Sequence, residues 1–512
     1  MNIVFRTDAS IDIGTGHVIR CLTLAQVLRN KGAKCYFVCR QHEGHMIKLI
    51  IDRGFEVRIL PLENGSNKTI DFPGLINIRN AGHYSWLGAD WKIDAQQTLE
   101  VIGDLVIDLL IVDHYGIDFY WENTVREVCK NLVVIDDLAD RKHSCDLMID
   151  QTLGRRPQDY KLLVPKKCKI LAGSSYALVR PEFSALREYA YDRVLSDSPL
   201  RVLVSMGGID QANASLSILK LLSTRSDLEI TVLLSPRAKN YESVVSFSRD
   251  YQNICHIDFS EDMATLMTNH DISIGAPGST SWERACLGLP SIIIPLADNQ
   301  HEIGEKLKKY GAAIVIKLDE LESLFWKSLQ QILSDWVTYH TANLEICDGL
   351  GIYRVSIELD SYVNEADDYR LLVACEKDIG DIFKWQIHPL TRKYAVNTKI
   401  PTWNEHKKWM RQKLKSPTNY FYITSQAVTK EKMGAVRLDR IDNGCYEVSI
   451  YTDPGKYGQG VAIAALNIID QLHPHITIEA NVLKDNTGSQ RLFEKAKYQR
   501  ISDEKFIRHT IL

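Results

Sequence analysis

The sequence predicts an α/β protein made of two Rossmann-like parallel sheets followed by a third α/β domain of different make-up. Three observations carry this: short continuous apolar runs that alternate with helical patterns, a restart of that series near residue 200, and a change of composition after residue 367. At 512 residues the chain is too long for one core, and roughly 100–200 residues per domain divides it into about three.

In the first part the runs are Ile3-Val4-Phe5, Cys35-Tyr36-Phe37-Val38, Leu109-Leu110-Ile111-Val112 and Leu132-Val133-Val134-Ile135. Continuous apolar strands between helices belong to a sheet covered on both faces, which is the parallel kind. The series restarts at Leu200-Arg201-Val202-Leu203-Val204 and runs on through Ile230–Leu234, Ile272–Ile274 and Ser291–Ile294. Ser196-Asp197-Ser198-Pro199 reads as a hinge between a domain at 1–196 and one at 197–362. Two facing open sheets bind ligands at the C-terminal ends of their strands, in the cleft between them. The polar, acidic residues 363–367 read as a linker to a last domain at 368–512, which contains Trp385, Trp403 and Trp409.

A formal net charge of −4 supplies no basic field for nucleic acid. The N-terminus enters a strand-like run without a charged n-region or apolar h-region, and no run approaches the length of a membrane-spanning helix, so no membrane association is expected. The 11 cysteines are odd in number, scattered and free of C-x-x-C pairs; Cys35 and Cys39 fall on one strand. Reduced thiols in a cytoplasmic protein account for them. Nothing in the sequence fixes an oligomeric state.

The first strand leads through Asp8-Ala9-Ser10-Ile11-Asp12-Ile13-Gly14-Thr15-Gly16-His17 into an amphipathic helix with Val18, Cys21, Leu22, Leu24, Val27 and Leu28 on its apolar side. Gly14 and Gly16 let the backbone approach a ligand, and the helix N-terminus presents free N–H groups to an anion. His17 falls on the first turn, where the helix dipole favours a neutral imidazole able to act as a base on water; a capping or packing role is the plain alternative. Asp113-His114-Tyr115-Gly116 ends another strand, where Tyr115 can meet a sugar hydroxyl or simply end the strand. Asp136-Asp137 reads as a helix cap.

In the second part Ser205-Met206-Gly207-Gly208 forms a phosphate-facing turn between strand and helix. Gly275-Ala276-Pro277-Gly278-Ser279-Thr280-Ser281 opens a helix that carries Glu283, and Asn299-Gln300 follows the next strand. Small residues such as Gly278 and Ser279 at a helix start suit a diphosphate, Glu283 suits two ribose hydroxyls as a bidentate acceptor, and Asn299 and Gln300 would face the sugar. The plain alternatives are a solvent-facing helix carboxylate and an ordinary loop.

In the third part the strand Tyr446–Tyr451 ends at Thr452-Asp453-Pro454 and is followed by Gly455-Lys456-Tyr457-Gly458-Gln459-Gly460-Val461-Ala462 and a helix. Such a turn is a pyrophosphate cradle without a Walker lysine. Asn486-Thr487-Gly488-Ser489 opens a second helix that contains Phe493. Glu447, on the strand before the turn, is the candidate acceptor of an amine proton, with a surface glutamate as the equal alternative.

The segments Phe5–His17, Val112–Gly116, Gly173–Phe183 and Ser205–Gly208 resemble the UDP-sugar hydrolase of pseudaminic acid biosynthesis over about residues 1–360. That family is similar to two-domain, GT-B-like glycosyltransferases. The resemblance implies release of UDP from UDP-2,4-diacetamido-2,4,6-trideoxy-β-L-altropyranose, with His17 as the base, Tyr115 and Asn299 near the sugar, Glu283 on the ribose, Gly278 and Ser279 on the diphosphate, and no metal.

Residues 368–512 resemble the GNAT acetyltransferase superfamily. This implies acetyl-CoA as co-substrate, held by Ile450, Thr452, Tyr457, Gly458, Gly460, Ala462, Asn486, Ser489 and Phe493. Two positions depart from the superfamily pattern: Tyr457 stands where a basic or amide residue is usual, and Phe493, where tyrosine is frequent, cannot protonate a thiolate. The segment Trp385-Gln386-Ile387-His388-Pro389-Leu390-Thr391-Arg392, with His406 and Trp409, is similar to amino-sugar N-acetyltransferases of the same pathway, which implies an acceptor face there. Acetylation of the 4-amino group precedes loss of UDP in that pathway, so the halves fit consecutive steps. The rival readings are a glycosyltransferase fused to an acetyltransferase and a non-catalytic nucleotide-sugar sensor.

Overall fold

The apolar runs become strands of three sheets in the computed structural model, which describes residues 1–62, 81–363, 368–395 and 397–511. The first sheet contains β1 (Asn2–Thr7), β2 (Lys34–Arg40), β3 (Glu56–Leu60), β4 (Ile107–Asp113), β5 (Cys129–Ile135), β6 (Leu147–Asp150) and β7 (Lys169–Ala172). Every pairing is parallel, in the order β3-β2-β1-β4-β5-β6-β7. The second contains β8 (Leu200–Ser205), β9 (Leu228–Leu233), β10 (Ile254–Ile257), β11 (Ile272–Gly275), β12 (Ser291–Ile293) and β13 (Ala313–Val315), again all parallel, in the order β10-β9-β8-β11-β12-β13.

Helices cover both faces, so the central strands are apolar throughout: Leu109 to Val112 and Ile292 to Ile294 are buried. In each sheet the order reverses beside the first strand, between β1 and β4 and between β8 and β11. Loops on either side of such a reversal diverge and leave a crevice at the strands' C-terminal ends. The loops that start at Asp8, Asp113, Met206 and Ala276 all lie there.

The third sheet contains β14 (Tyr369–Val373), β15 (Asn419–Gln426), β16 (Lys432–Asp442), β17 (Cys445–Thr452), β18 (Thr477–Asn481), β19 (Gln499–Arg500) and β20 (Lys505–Arg508), in the order β14-β15-β16-β17-β18-β20-β19. Its one parallel pair, β17 with β18, lasts only from Cys445↔Thr477 to Glu447↔Glu479. Meanwhile β17 stays paired with β16 as far as Thr452↔Gly434. The two strands therefore part after Glu447.

The chain divides into two compact units, Met1–Ser356 with the first two sheets and Ile357–Leu512 with the third, the division falling within the helix Gly351–Val363. Residues 364–367 of the expected linker lie outside the described residues. Among the described residues no helix is long and apolar enough to cross a membrane. Cys35 and Cys39 do share one strand, and all eleven cysteines are free.

Two features of the first unit test how tightly it is packed. Gly351 lies against the chain at Tyr176-Ala177, where an added Cβ would sit 2.3 Å from the Ala177 carbonyl oxygen. Beneath the ends of β1 and β4, Asp8 is enclosed with Arg6, His42 and His114. Burial pushes His114 down to about 3, so it stays neutral while its Nδ1 accepts the Gly116 N–H at 2.9 Å.

Gly351→Ala should cost about 2 kcal/mol or more, because the clash is with backbone that cannot rotate away, and should lower the thermal midpoint of the first unit in calorimetry. His114 also predicts a pH dependence. The unfolded chain takes up a proton below its ordinary value near 6.5 and the native chain does not, so stability is full above that pH and is lost on the way down towards about 3. Urea unfolding should show a loss of about 2 kcal/mol from this group between pH 7 and 5, and His114→Asn, which keeps an acceptor, should remove that part of the slope.

Candidate functional site

The turn after β1 is built by Ser10. Its Oγ accepts the N–H of Asp12 and of Ile13 at 3.1 and 2.9 Å, and its carbonyl accepts the Gly14 N–H at 3.0 Å with Gly14 at φ +78°. The chain then enters the helix Gly16–Asn30, whose start has no side-chain cap, so its first N–H groups remain available to a ligand.

His17 lies on that first turn, 6% exposed, and what holds it differs from the sequence expectation. The helix dipole is not the controlling partner; Asp113, the last residue of β4, is. His17 Nδ1 lies 2.6 Å from Asp113 Oδ1, and because a carboxylate can only accept, Nδ1 donates and Nε2 is the ring nitrogen left to meet a ligand. Arg20, one turn further along, clamps the same carboxylate with Nε and Nη2, both at 2.6 Å, while Cys21 Sγ approaches at 3.4 Å. Burial alone would raise the Asp113 carboxyl, but Arg20 and then His17 hold it well below the usual carboxylate range.

Arg20 also donates to Asp137 at 2.8 Å, and Asp137 accepts the Tyr115 hydroxyl proton. Neither Asp136 nor Asp137 is a helix cap. Asp136 is a buried hub that accepts from Arg141, Tyr160 and the Ala139 N–H, each at 2.8–3.0 Å. Tyr115 remains beside His17, ring centroids 4.5 Å apart and edge-on, but its proton is committed, so only its oxygen lone pairs are left for a sugar. Trp86 stacks on Tyr115 at 5.9 Å and His83 lies 5.3 Å from the same ring. The sequence reading placed Asp113 at a strand end without giving it a role, and missed Arg20, His83 and Trp86, which carried no signal.

Across the crevice, Gly207 (φ +94°), Gly208 and Gly278 all border open space. A Cβ added at Gly16 would lie 4.0 Å from Ser279 Oγ, so the two glycine loops face each other. Three expectations are corrected here. The Gly278 N–H is occupied by Ser281 Oγ at 3.2 Å. Glu283 is not free to grip with both oxygens, since Arg180 donates to Oε1 through Nη2 and Nε at 3.1 and 3.3 Å and leaves Oε2 open. Gln300 Oε1 accepts the Leu296 N–H at 2.8 Å, which pins its own loop and leaves only the amide NH2 for a ligand. Asn299 falls in the helix Asp298–Lys309, and its side chain lies outside the described residues. Burial raises the Glu283 carboxyl, against the pull of Arg180.

In the third sheet, Gly458 and Gly460 take φ +79° and +81°, and Gly460 caps the helix Val461–Leu472 without any side chain. The Gln459 N–H turns back to the Lys456 carbonyl at 3.4 Å, and the N–H groups of Gly458, Gly460, Val461 and Ala462 have no main-chain partner among the described residues, so they can meet a pyrophosphate. Ile450 and Thr452 lie on β17 beyond the point where β18 departs. Tyr457 is 48% exposed, its hydroxyl 3.5 Å from Thr391 Oγ1. Glu447 Oε1 accepts from Asn481 Nδ2 at 2.8 Å.

Other positions turn out to be structural. Phe493 is a core residue, against Tyr498 at 5.3 Å and Phe506 at 5.8 Å, and not a lining of the cofactor site. Asn486 caps its helix by accepting the Ser489 N–H at 3.1 Å, which removes that N–H from cofactor binding. His406 is buried and bonds Gln386 at 2.8 Å and the Ile379 carbonyl at 3.1 Å, and Trp385 is core, so neither belongs to an acceptor face. Trp409 is half-buried with Arg437 4.8 Å above its ring. Among the described residues there is no group of three or more His, Cys, Asp or Glu that could hold a metal.

Residues 203–344 match the Glycosyltransferase family 28 C-terminal domain, and residues 370–499 the Acetyltransferase (GNAT) domain. An uncharacterized protein of Methanocaldococcus jannaschii is 23% identical across 98% of this chain and 97% of its own. The UDP-2,4-diacetamido-2,4,6-trideoxy-beta-L-altropyranose hydrolase of Campylobacter jejuni is 27% identical over 62% of this chain and its own full length. Among solved structures, MurG of Acinetobacter baumannii aligns over 70% of this chain and 99% of its own, at 14% identity and a TM-score of 0.48. The chain thus joins a part similar to a UDP-2,4-diacetamido-2,4,6-trideoxy-beta-L-altropyranose hydrolase to a part that matches the Acetyltransferase (GNAT) domain.

Proposed function

We propose that this protein is a bifunctional nucleotide-sugar enzyme. Its first unit hydrolyses UDP-2,4-diacetamido-2,4,6-trideoxy-β-L-altropyranose to UDP and free sugar, and its GNAT domain uses acetyl-CoA to acetylate the 4-amino group of the preceding UDP-4-amino sugar. The observation that carries the first half is the Asp113–His17 pair at the crevice, with Nε2 unclaimed and the Ser279 loop opposite.

In this reading His17 Nε2 takes a proton from water, the water oxygen bonds to the anomeric carbon, and the bond from that carbon to the β-phosphate oxygen breaks, so that UDP leaves as an anion. Asp113 stabilises the imidazolium as it forms. The N–H groups at Gly16, Gly207, Gly208 and Ser279 meet the charge that builds on the leaving diphosphate. Glu283 Oε2 accepts from the ribose, and the Tyr115 oxygen and the Gln300 amide face the sugar; the resemblance to the hydrolase family adds Asn299 to that group. In the GNAT domain the turn Gly458 to Ala462 holds the pyrophosphate, and Ile450 and Thr452 lie along the pantetheine. The free cysteines and the nucleotide-sugar and acetyl-CoA substrates of this reading support a cytoplasmic location.

Mass spectrometry of the full chain with the UDP-diacetamido sugar and no acceptor should show UDP and free sugar; product only when a sugar acceptor is added would make this a glycosyltransferase. With the UDP-4-amino sugar and acetyl-CoA, a mass gain of one acetyl group should precede release of UDP. His17→Ala should lower kcat about 10²–10⁴-fold and leave UDP affinity by calorimetry unchanged. Unchanged hydrolysis in that variant would favour a binding protein. Asp113→Asn should lower kcat about tenfold or more at nearly constant KM, because it misorients the imidazole.

A further inference from the structure

We propose that Asn481 is a positioning residue of the acetyl-transfer site, which holds the Glu447 carboxylate where strands β17 and β18 part so that it takes the proton of a cationic primary amine. This rests on the acetyltransferase reading above. Glu447 is the last residue of β17 paired to β18, opposite Glu479. Residues two apart on a strand share a face, so Asn481 lies on the face of Glu479 and Glu447 but beyond the last rung. Its amide reaches back across the gap to Glu447 Oε1 at 2.8 Å.

The charges around Glu447 single it out. Asp439 faces it from β16 and is neutralised by Lys413 and by Arg437, each at 2.7 Å. Glu479 faces it from β18 and is neutralised by Lys505 at 2.8 Å. Glu447 alone of these three carboxylates has no cation within ion-pair distance among the described residues; its partner is the neutral Asn481 amide. The counter-charge this corner lacks is one that an ammonium group supplies. It lies beside the free edge of β17, which would carry the thioester.

The reaction balances on these groups. The ammonium gives one proton to a Glu447 oxygen, and the freed nitrogen attacks the thioester carbonyl. The C–N bond forms as the C–S bond breaks, and a second nitrogen proton goes to the departing thiolate. The products are the amide, free CoA thiol and one proton on Glu447, which returns to water. Asn481 makes no bond to the substrate in this scheme. It fixes the carboxylate in place.

The test uses the full chain with acetyl-CoA and two acceptors, the UDP-4-amino sugar and glucosamine. Glu447→Gln should lower kcat about 100-fold and Asn481→Ala about tenfold, with calorimetric affinity for acetyl-CoA unchanged in both. The double variant should be no worse than Glu447→Gln, because Asn481 acts through that carboxylate. Asn481→Gln, which restores an amide, should recover part of the kcat lost in Asn481→Ala. Additive losses, or no recovery of kcat in Asn481→Gln, would overturn the positioning role while acetyl transfer stands. A parent protein that acetylates neither amine would overturn the acetyltransferase reading and the proposal together.

Discussion

The architecture of the first unit turns on a single buried carboxylate. Asp113 ends an apolar strand, fully enclosed, and an isolated charge there would cost several kcal/mol. It is tolerated because His17, Arg20 and Cys21, from one face of one helix, all direct donors at it. The same pairing that permits the burial fixes the helix against β4, selects the His17 tautomer and ties in Asp137 and Tyr115 through Arg20. Stability and the geometry of the proposed base are thus one arrangement.

The third sheet shows a different constraint. Where β17 keeps its hydrogen bonds to β16 but loses β18, one strand edge is left unpaired beside a turn rich in outward N–H groups. An unpaired edge is normally a liability, and here it is next to the groups that would bind a cofactor. The Glu447–Asn481 contact spans the gap where the main-chain ladder stops.

Much of this was legible in the sequence because periodicity and glycine position are local signals. The continuous apolar runs announced parallel strands, and Gly14-Thr15-Gly16-His17 and Gly458-Gln459-Gly460 announced turns at helix starts. What stayed hidden depends on partners far apart in the chain. Asp113 and Asp137 could be seen as strand-end residues, but not that Arg20 joins them across some ninety and more positions. Glu283 could be seen on its helix, but not that Arg180 occupies one of its oxygens. Phe493 was misread for the converse reason: its place in a motif suggested a ligand contact, whereas Tyr498 and Phe506 fold over it.

The central claim is that His17, oriented by Asp113, directs water to the anomeric carbon and not to phosphorus. The most direct measurement is hydrolysis of the UDP-diacetamido sugar in H2¹⁸O, with mass spectrometry of the UDP released. Attack at carbon leaves UDP free of the heavy isotope, which is the predicted result. One ¹⁸O incorporated into the terminal phosphate of UDP would mean attack at phosphorus and would contradict the account.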